Sequence, residues 1–496
     1  MPRASYIDYK FQRGWQADLS PVMASKEELV LADNAYVMDR GGIKQRFGTE
    51  ALNTTALGGQ VEQIIEWPRD DGSFVLMAII NDGTNINLCK INPDWTTTTI
   101  QAINNTRIPH FFLFDKFYFI DPGTEYYVYD GSTCSAVTPN PESDCDLTPI
   151  KRCKFAFWHS KSMRIFFAGD SQEGPALYYS EYNQPDYVKA DSVVYPTRAD
   201  GPIKGLSVLM DAVIVGYRFS NWVWRGIDPA VDTIWERLPT SHGPLNGDCF
   251  TVTTNSLSMV SEAGIFAMSP SIIGVPMEAE VGSNFIVNIS KNRVNSIINS
   301  IKGEDKVRTI FDNDTGLYMI AYCDDASGRN NKILAFDWDL KAFANYTGLK
   351  VNDFCKRANG DLLLAIKDYI LRVVPDGTED RDDTGTAKII NFDIKTPKYN
   401  FNLPLRKKRV SYVYVLFKNF GPQHELDIKL YVDDEAKEAY TIKGDDDYSG
   451  IITHRKKLDY TGNYFQLEII NDQYSEVELY GVGFDYEQVP TVGDKV

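Results

Sequence analysis

The 496-residue sequence predicts an all-β protein, and three observations carry that prediction. Short runs rich in Val, Ile, Tyr and Phe recur along the chain, and Gly, Asn and Asp turn signals separate them. The groups return roughly every 35 to 50 residues, with little identity between them. Hydrophobic residues make up 43% and aromatic ones 12%, ample material for sheet faces where β-branched and aromatic side chains pack well. The length exceeds one ordinary core, so roughly two to four domains are expected unless a repeat absorbs it.

Taken in order, residues 1–57 read as an N-terminal arm with the first strands. The first group then holds Val61 to Glu66, Phe74 to Ile80, the Asn81-Asp82-Gly83 turn and Ile86 to Ile91, a strong short-range hairpin signal. Lys116 to Ile120 with Tyr126 to Tyr129 follow, then Arg164 to Phe167 with Leu177 to Tyr179, and Val213 to Tyr217 with Trp222 to Trp224. Cys249 to Val260 with Gly264 to Met268, Leu317 to Tyr322 with Ile333 to Trp338, and Leu362 to Ile366 with Tyr369 to Val373 complete the series. This makes about six or seven units of three to four strands, which predicts a β-propeller-like domain over 58–375, an architecture that limits exposed sheet edges by radial repetition. One helix interrupts the series. Ser290 can cap a segment whose apolar residues Val294, Ile297, Ile298 and Ile301 share a face. The acidic, aperiodic run 376–386 reads as a linker. Beyond it, about seven strands in about a hundred residues, over 387–490, predict a β-sandwich.

The formal net charge of −17 argues against tight nucleic-acid binding, which needs a basic surface to release counterions. The same excess of carboxylates suits a wall that nucleic acid passes without sticking. No stretch is apolar enough to span a membrane, and the start of the chain shows no secretory h-region. The seven cysteines are scattered without C-x-x-C spacing and read as reduced core thiols. No phosphate loop, zinc motif, nucleophile elbow or EF-hand loop is present, so no catalytic, cofactor or metal residue is expected.

Asp337 and Asp339 flank Trp338 at the i, i+2 spacing that puts two carboxylates on one strand face, a pattern compatible with glycoside hydrolysis. The alternative is a turn in which Asp side chains bond their own backbone. Asp324-Asp325 and Asn313 to Gly316 read as turns too, with too few oxygens for calcium. Two basic clusters, Arg406-Lys407-Lys408-Arg409 and Arg455-Lys456-Lys457, are candidates for docking an acidic partner or brushing DNA phosphates; solvated charge is the plainer reading.

The run Asn34 to Thr49, with its Lys44-Gln45-Arg46-Phe47-Gly48-Thr49 strand, resembles the opening of tail nozzle, hub and stabilisation proteins (tail tubular protein B-like) of tailed bacteriophages. Leu177 to Asp186, Tyr217 to Gly226 and Glu262 to Met268 are similar to later segments of those proteins, in the same order. The resemblance implies a virion protein, assembled in the host cytoplasm, that forms a homo-oligomeric ring, a hexamer, around the DNA exit channel. It implies contacts with the portal adaptor, with distal tail or fibre proteins and, transiently, with genomic DNA, and no catalytic residues. Two other readings compete: a carbohydrate-binding or glycan-degrading propeller with Trp95, Trp158 and Trp235 as sugar platforms, and a cellular propeller scaffold, for which WD or kelch signatures are missing.

Overall fold

A computed structural model describes residues 4–8, 11–254, 256–269, 286–421, 424–444 and 450–489. The chain is all-β, with many small antiparallel sheets. Seven propeller blades follow one another. Blade 1 runs Gln60–Pro68, Phe74–Asn81, Ile86–Ile91 and Thr97–Ile103. Blades 2 to 6 occupy 110–136, 155–194, 205–237, 250–288 and 308–347, each with four antiparallel strands in chain order. Blade 7 has three strands of its own, Asp353–Lys356, Leu362–Ile366 and Tyr369–Val374, and takes its fourth, Gly48–Ala51, from the N-terminal region.

Local chemistry explains each hairpin. At the blade 1 turn the Asp82 carboxylate accepts from the backbone N–H of Thr84 (2.8 Å) and Asn85 (2.7 Å), and Gly83 takes φ 88°, open to glycine without strain. Separate apolar clusters fill the spaces between neighbouring blades. Trp67, Ile79, Phe117 and Phe119 lie between blades 1 and 2, Tyr126, Ile165 and Phe167 between 2 and 3, and Met319, Tyr346 and Leu364 between 6 and 7. The space between blades 5 and 6 differs, because its cluster of Val260, Phe311 and Tyr318 is continuous with the sandwich core of Val413, Ile428, Leu467 and Phe484.

The sandwich has two sheets, and both recruit strands from the start of the chain. One is six-stranded: 451–462, 408–418, 478–488, 43–45 and 35–37 in that order, with 4–8 also on 478–488. The other belongs to an eleven-stranded sheet in which blade 6 runs on through Leu31–Asp33 and Phe392–Lys395 into 465–471, 425–432 and 435–443. Propeller and sandwich therefore share a core and a sheet. The region 1–57, expected as an arm with first strands, supplies paired strands to both bodies over its described residues.

Residues 376–386, expected as a linker, instead contain half of a hairpin, with Glu379–Arg381 paired to Ala387–Ile389. Its Asp380 is buried against Arg46 at 2.5 and 3.0 Å, and a buried guanidinium demands such a partner. The helix is also shorter than expected. It spans Asn295–Ser300 and Ser290 does not cap it. The carboxylate of Asp18 accepts from the N–H groups of Asn295 and Ser296, both at 2.9 Å, while the Ser290 hydroxyl accepts from Ile265 N–H at 2.9 Å. Val294 and Ile298 are buried in the shared core as the apolar stripe predicts.

Candidate functional site

The blades surround an axial cavity of about 1790 Å³ at the end where each innermost strand begins. Loops that carry the chain from one blade to the next deliver its polar groups. Arg107 lies in the loop entering blade 2. Asp248 sits in the 3-10 turn Gly247–Cys249 before blade 5, where the Asn246 side chain accepts from its N–H at 2.7 Å. Arg308 and Asp353 open the inner strands of blades 6 and 7.

These four residues form one network across the axis. Arg107 Nη2 lies 2.9 Å from Asp248 and its Nη1 3.0 Å from Asp353, so one guanidinium ties blade 2 to blades 5 and 7. Arg308 Nη1 is 3.4 Å from the other Asp248 oxygen, and Asp353 also accepts from Ile64 N–H at 2.9 Å. Enclosure works against the Asp248 charge, but Arg107 and Arg308 overcome it and hold the carboxyl below its usual range. His110 faces the cavity, where solvent reaches it although protein encloses it. Desolvation, helped by the Arg107 charge, pushes its pKa down and favours the neutral ring.

An acid–base pair for glycoside hydrolysis needs one carboxyl kept protonated beside an ionised one. The carboxyls that burial pushes up, Asp33, Asp337 and Asp393, lie outside this cavity. The arrangement offers fixed charge and hydrogen bonds to a ligand.

The other sequence candidates fall elsewhere. Asp337 accepts from the N–H groups of Asp339 (2.9 Å) and Leu340 (2.8 Å), which is the turn reading, and Trp338 packs edge-on against Phe336. Asp325 caps its own loop through Ser327 N–H at 2.7 Å. Trp95, Trp158 and Trp235 are half-buried and join different clusters, between blades 7 and 1, 2 and 3, and 3 and 4, so they build no common platform.

The basic clusters lie on neighbouring strands of the six-stranded sheet, with Tyr412 opposite Lys457 and Arg409 opposite Thr461. Strand alternation divides them between faces. Lys408 points inward, and its ammonium donates to the carbonyls of Leu403 (2.9 Å) and Asn463 (2.5 Å). Arg409 forks onto Asp459 at 2.5 and 2.7 Å. Arg455 lies over the Tyr412 ring at 3.6 Å, and Lys456 is 3.4 Å from Glu438. Arg406 precedes the strand, in a turn closed by its N–H on Leu403 O at 3.2 Å. Lys407 and Lys457 stay exposed.

No family model matches this sequence, and no curated protein does. Solved structures give distant likenesses. YCF48 bound to D1 peptide is similar at 11% identity over 69% of this chain and 98% of that one, with a TM-score of 0.39. An exo-beta-1,3-galactanase from Phanerochaete chrysosporium with beta-1,3-galactotriose is similar at 9% identity over 86% of this chain and 100% of that one, with a TM-score of 0.26. Likenesses of this extent carry no substrate or partner over to this chain.

The axial network had no legible signal in the sequence. Arg107 and Asp248 lie in loops, Arg308 and Asp353 are the first residues of strands, and only their shared position at blade entries unites them.

Proposed function

We propose that this chain is a structural subunit of a bacteriophage tail, forming a homo-oligomeric nozzle or hub ring around the DNA exit channel. In this reading it links the portal adaptor to distal tail or fibre proteins in the virion. The observation that carries the proposal is the eleven-stranded sheet running from blade 6 into the sandwich. A continuous sheet with a shared core makes one stiff body with two separate faces, and ring closure by heterologous contacts depends on such a fixed angle between faces.

DNA would pass between copies, because the Arg107 network crosses the propeller axis. The net charge of −17 suits a wall that phosphates slide past. Lys407 and Lys457, exposed on the sandwich, with Arg406, Arg409, Arg455 and Lys456 beside them, are the proposed partner-facing region, from which the buried Lys408 is turned away. No helix among the described residues is long and apolar enough to cross a membrane.

The test is the solution mass and negative-stain image of the purified chain, alone and mixed with a portal–adaptor complex. A ring of about six copies in either sample supports the reading. A persistent monomer that scores on a glycan array replaces it with the carbohydrate-binding alternative.

A further inference from the structure

The axial cavity inverts the sign of the molecule. Among the described residues seven basic and five acidic side chains line it, with Asp353 paired to Arg107 behind them, in a chain whose net charge is −17. Two of those acids are already committed, Asp170 to Arg152 at 2.7 Å and Asp248 to the Arg107–Arg308 pair. Lys154 and Lys204, each placed immediately before the inner strand of blade 3 or 4, have no ion-pair partner among the described residues.

Arg308 shows the more specific demand. It is 8% exposed, and its Nη1 alone is engaged, donating to the carbonyls of Asp305 and Val307, both at 2.8 Å. Its Nε is buried without a hydrogen-bond partner, and none engages Nη2 among the described residues. The Nε–Nη2 edge is the fork that matches two oxygens of a carboxylate or phosphate. An unmet buried donor is costly. Enclosure and the neighbouring Arg107 charge both act against the Arg308 cation and lower its pKa, as an incoming anion would reverse.

We propose that the axial cavity binds a compact multivalent anion, one of whose carboxylate or phosphate groups sits bidentately on the Nε–Nη2 edge of Arg308 while Lys154 and Lys204 neutralise its far end across the axis. The site is independent of ring formation and needs no second copy.

Isothermal titration of the full chain at low ionic strength, with tripolyphosphate and with citrate as probes, tests this. Saturable binding of one equivalent is expected, and the stronger probe identifies the phosphate or the carboxylate source. Arg308→Lys, which keeps the charge but removes the fork, weakens the better probe by about tenfold. The Lys154→Ala/Lys204→Ala pair, at positions clear of the core, weakens it by about threefold or more. Thermal unfolding confirms that each variant folds, and if Arg308→Lys does not, the lysine pair decides. No saturable binding of either probe overturns the proposal, as does binding that the folded variants leave unchanged.

Discussion

Blade 2 and the sandwich bury small sheets in opposite ways. Blade 2 completes its four strands within residues 110–136, each pairing with the one just before it. The sandwich joins residues from the two ends of the chain, Ala4 opposite Tyr486 and Lys44 opposite Glu478. Short loops make the first kind of sheet cheap to close in entropy, whereas the second closes very long loops before any contact rewards it. The propeller thus spreads its stability over repeated local packing. The joint concentrates its stability in a few long-range contacts, and damage there should reach further.

The most severe way to break this contrast is to remove residues 387–496. That takes away the Phe392–Lys395 partner of Leu31–Asp33 and opens the core shared by Phe311, Tyr318 and Leu467. The expected outcome is aggregation on size exclusion; a soluble fragment with a cooperative calorimetric transition would show that the blades stand alone.

Next in size is Arg46→Ala. This buried guanidinium donates to Asp380, to Asn34 Oδ1 at 2.8 Å and to the Thr347 carbonyl at 3.1 Å, tying hairpin, N-terminal strands and blade 6 together. Stranding the Asp380 charge should cost about 3–5 kcal/mol in denaturant unfolding, and adding Asp380→Ala should recover part of it.

A smaller change of opposite sign is expected at Asp393, which faces Asp33 across the strands that join the two bodies. Burial, with Glu468 and Asp33 adding to it, raises its pKa to about 6 from 3.8. A carboxyl raised in the fold contributes its stability below its unfolded pKa and loses it as pH climbs through about 6. Asp393→Asn should therefore stabilise by about 1–2 kcal/mol at pH 7.5 and by little at pH 4, measured as paired unfolding curves.

The mildest test is Ile120→Val, buried between blades 2 and 3. It should cost about 1 kcal/mol and leave hydrogen exchange in the sandwich unchanged. Altered exchange there would mean that the blades and the joint are coupled more tightly than their topology implies.

The same contrast explains what could be read in the sequence. Blade hairpins were legible because alternation and turn chemistry are local: the Asn81-Asp82-Gly83 signal and the strands around it need no distant partner. The joint was not. Leu31–Asp33 is a three-residue strand whose partners lie hundreds of residues away, Ile43–Gln45 pairs locally with Ala35–Val37 but enters its sheet only through the distant Glu478 and Leu479, and the 376–386 run looks like a linker until Arg46 is placed against Asp380. The helix start misled for the same reason, since its cap is Asp18. On the candidate site, the basic clusters were visible as runs, yet alternation turns Lys408 inward and Arg409 outward. The four charges of the axial network, Arg107, Asp248, Arg308 and Asp353, formed no run among themselves.

Blade 7 carries a further consequence, in the order of synthesis. Ala51 pairs with Leu371, a separation of 320 residues, so the closing strand leaves the ribosome long before its neighbour. At roughly 5–20 residues per second it waits on the order of 15 to 65 seconds with its edge unpaired. Through that interval the ring cannot close, and only the late arrival of Tyr369–Val374 gives Gly48–Ala51 its partner and completes blade 7.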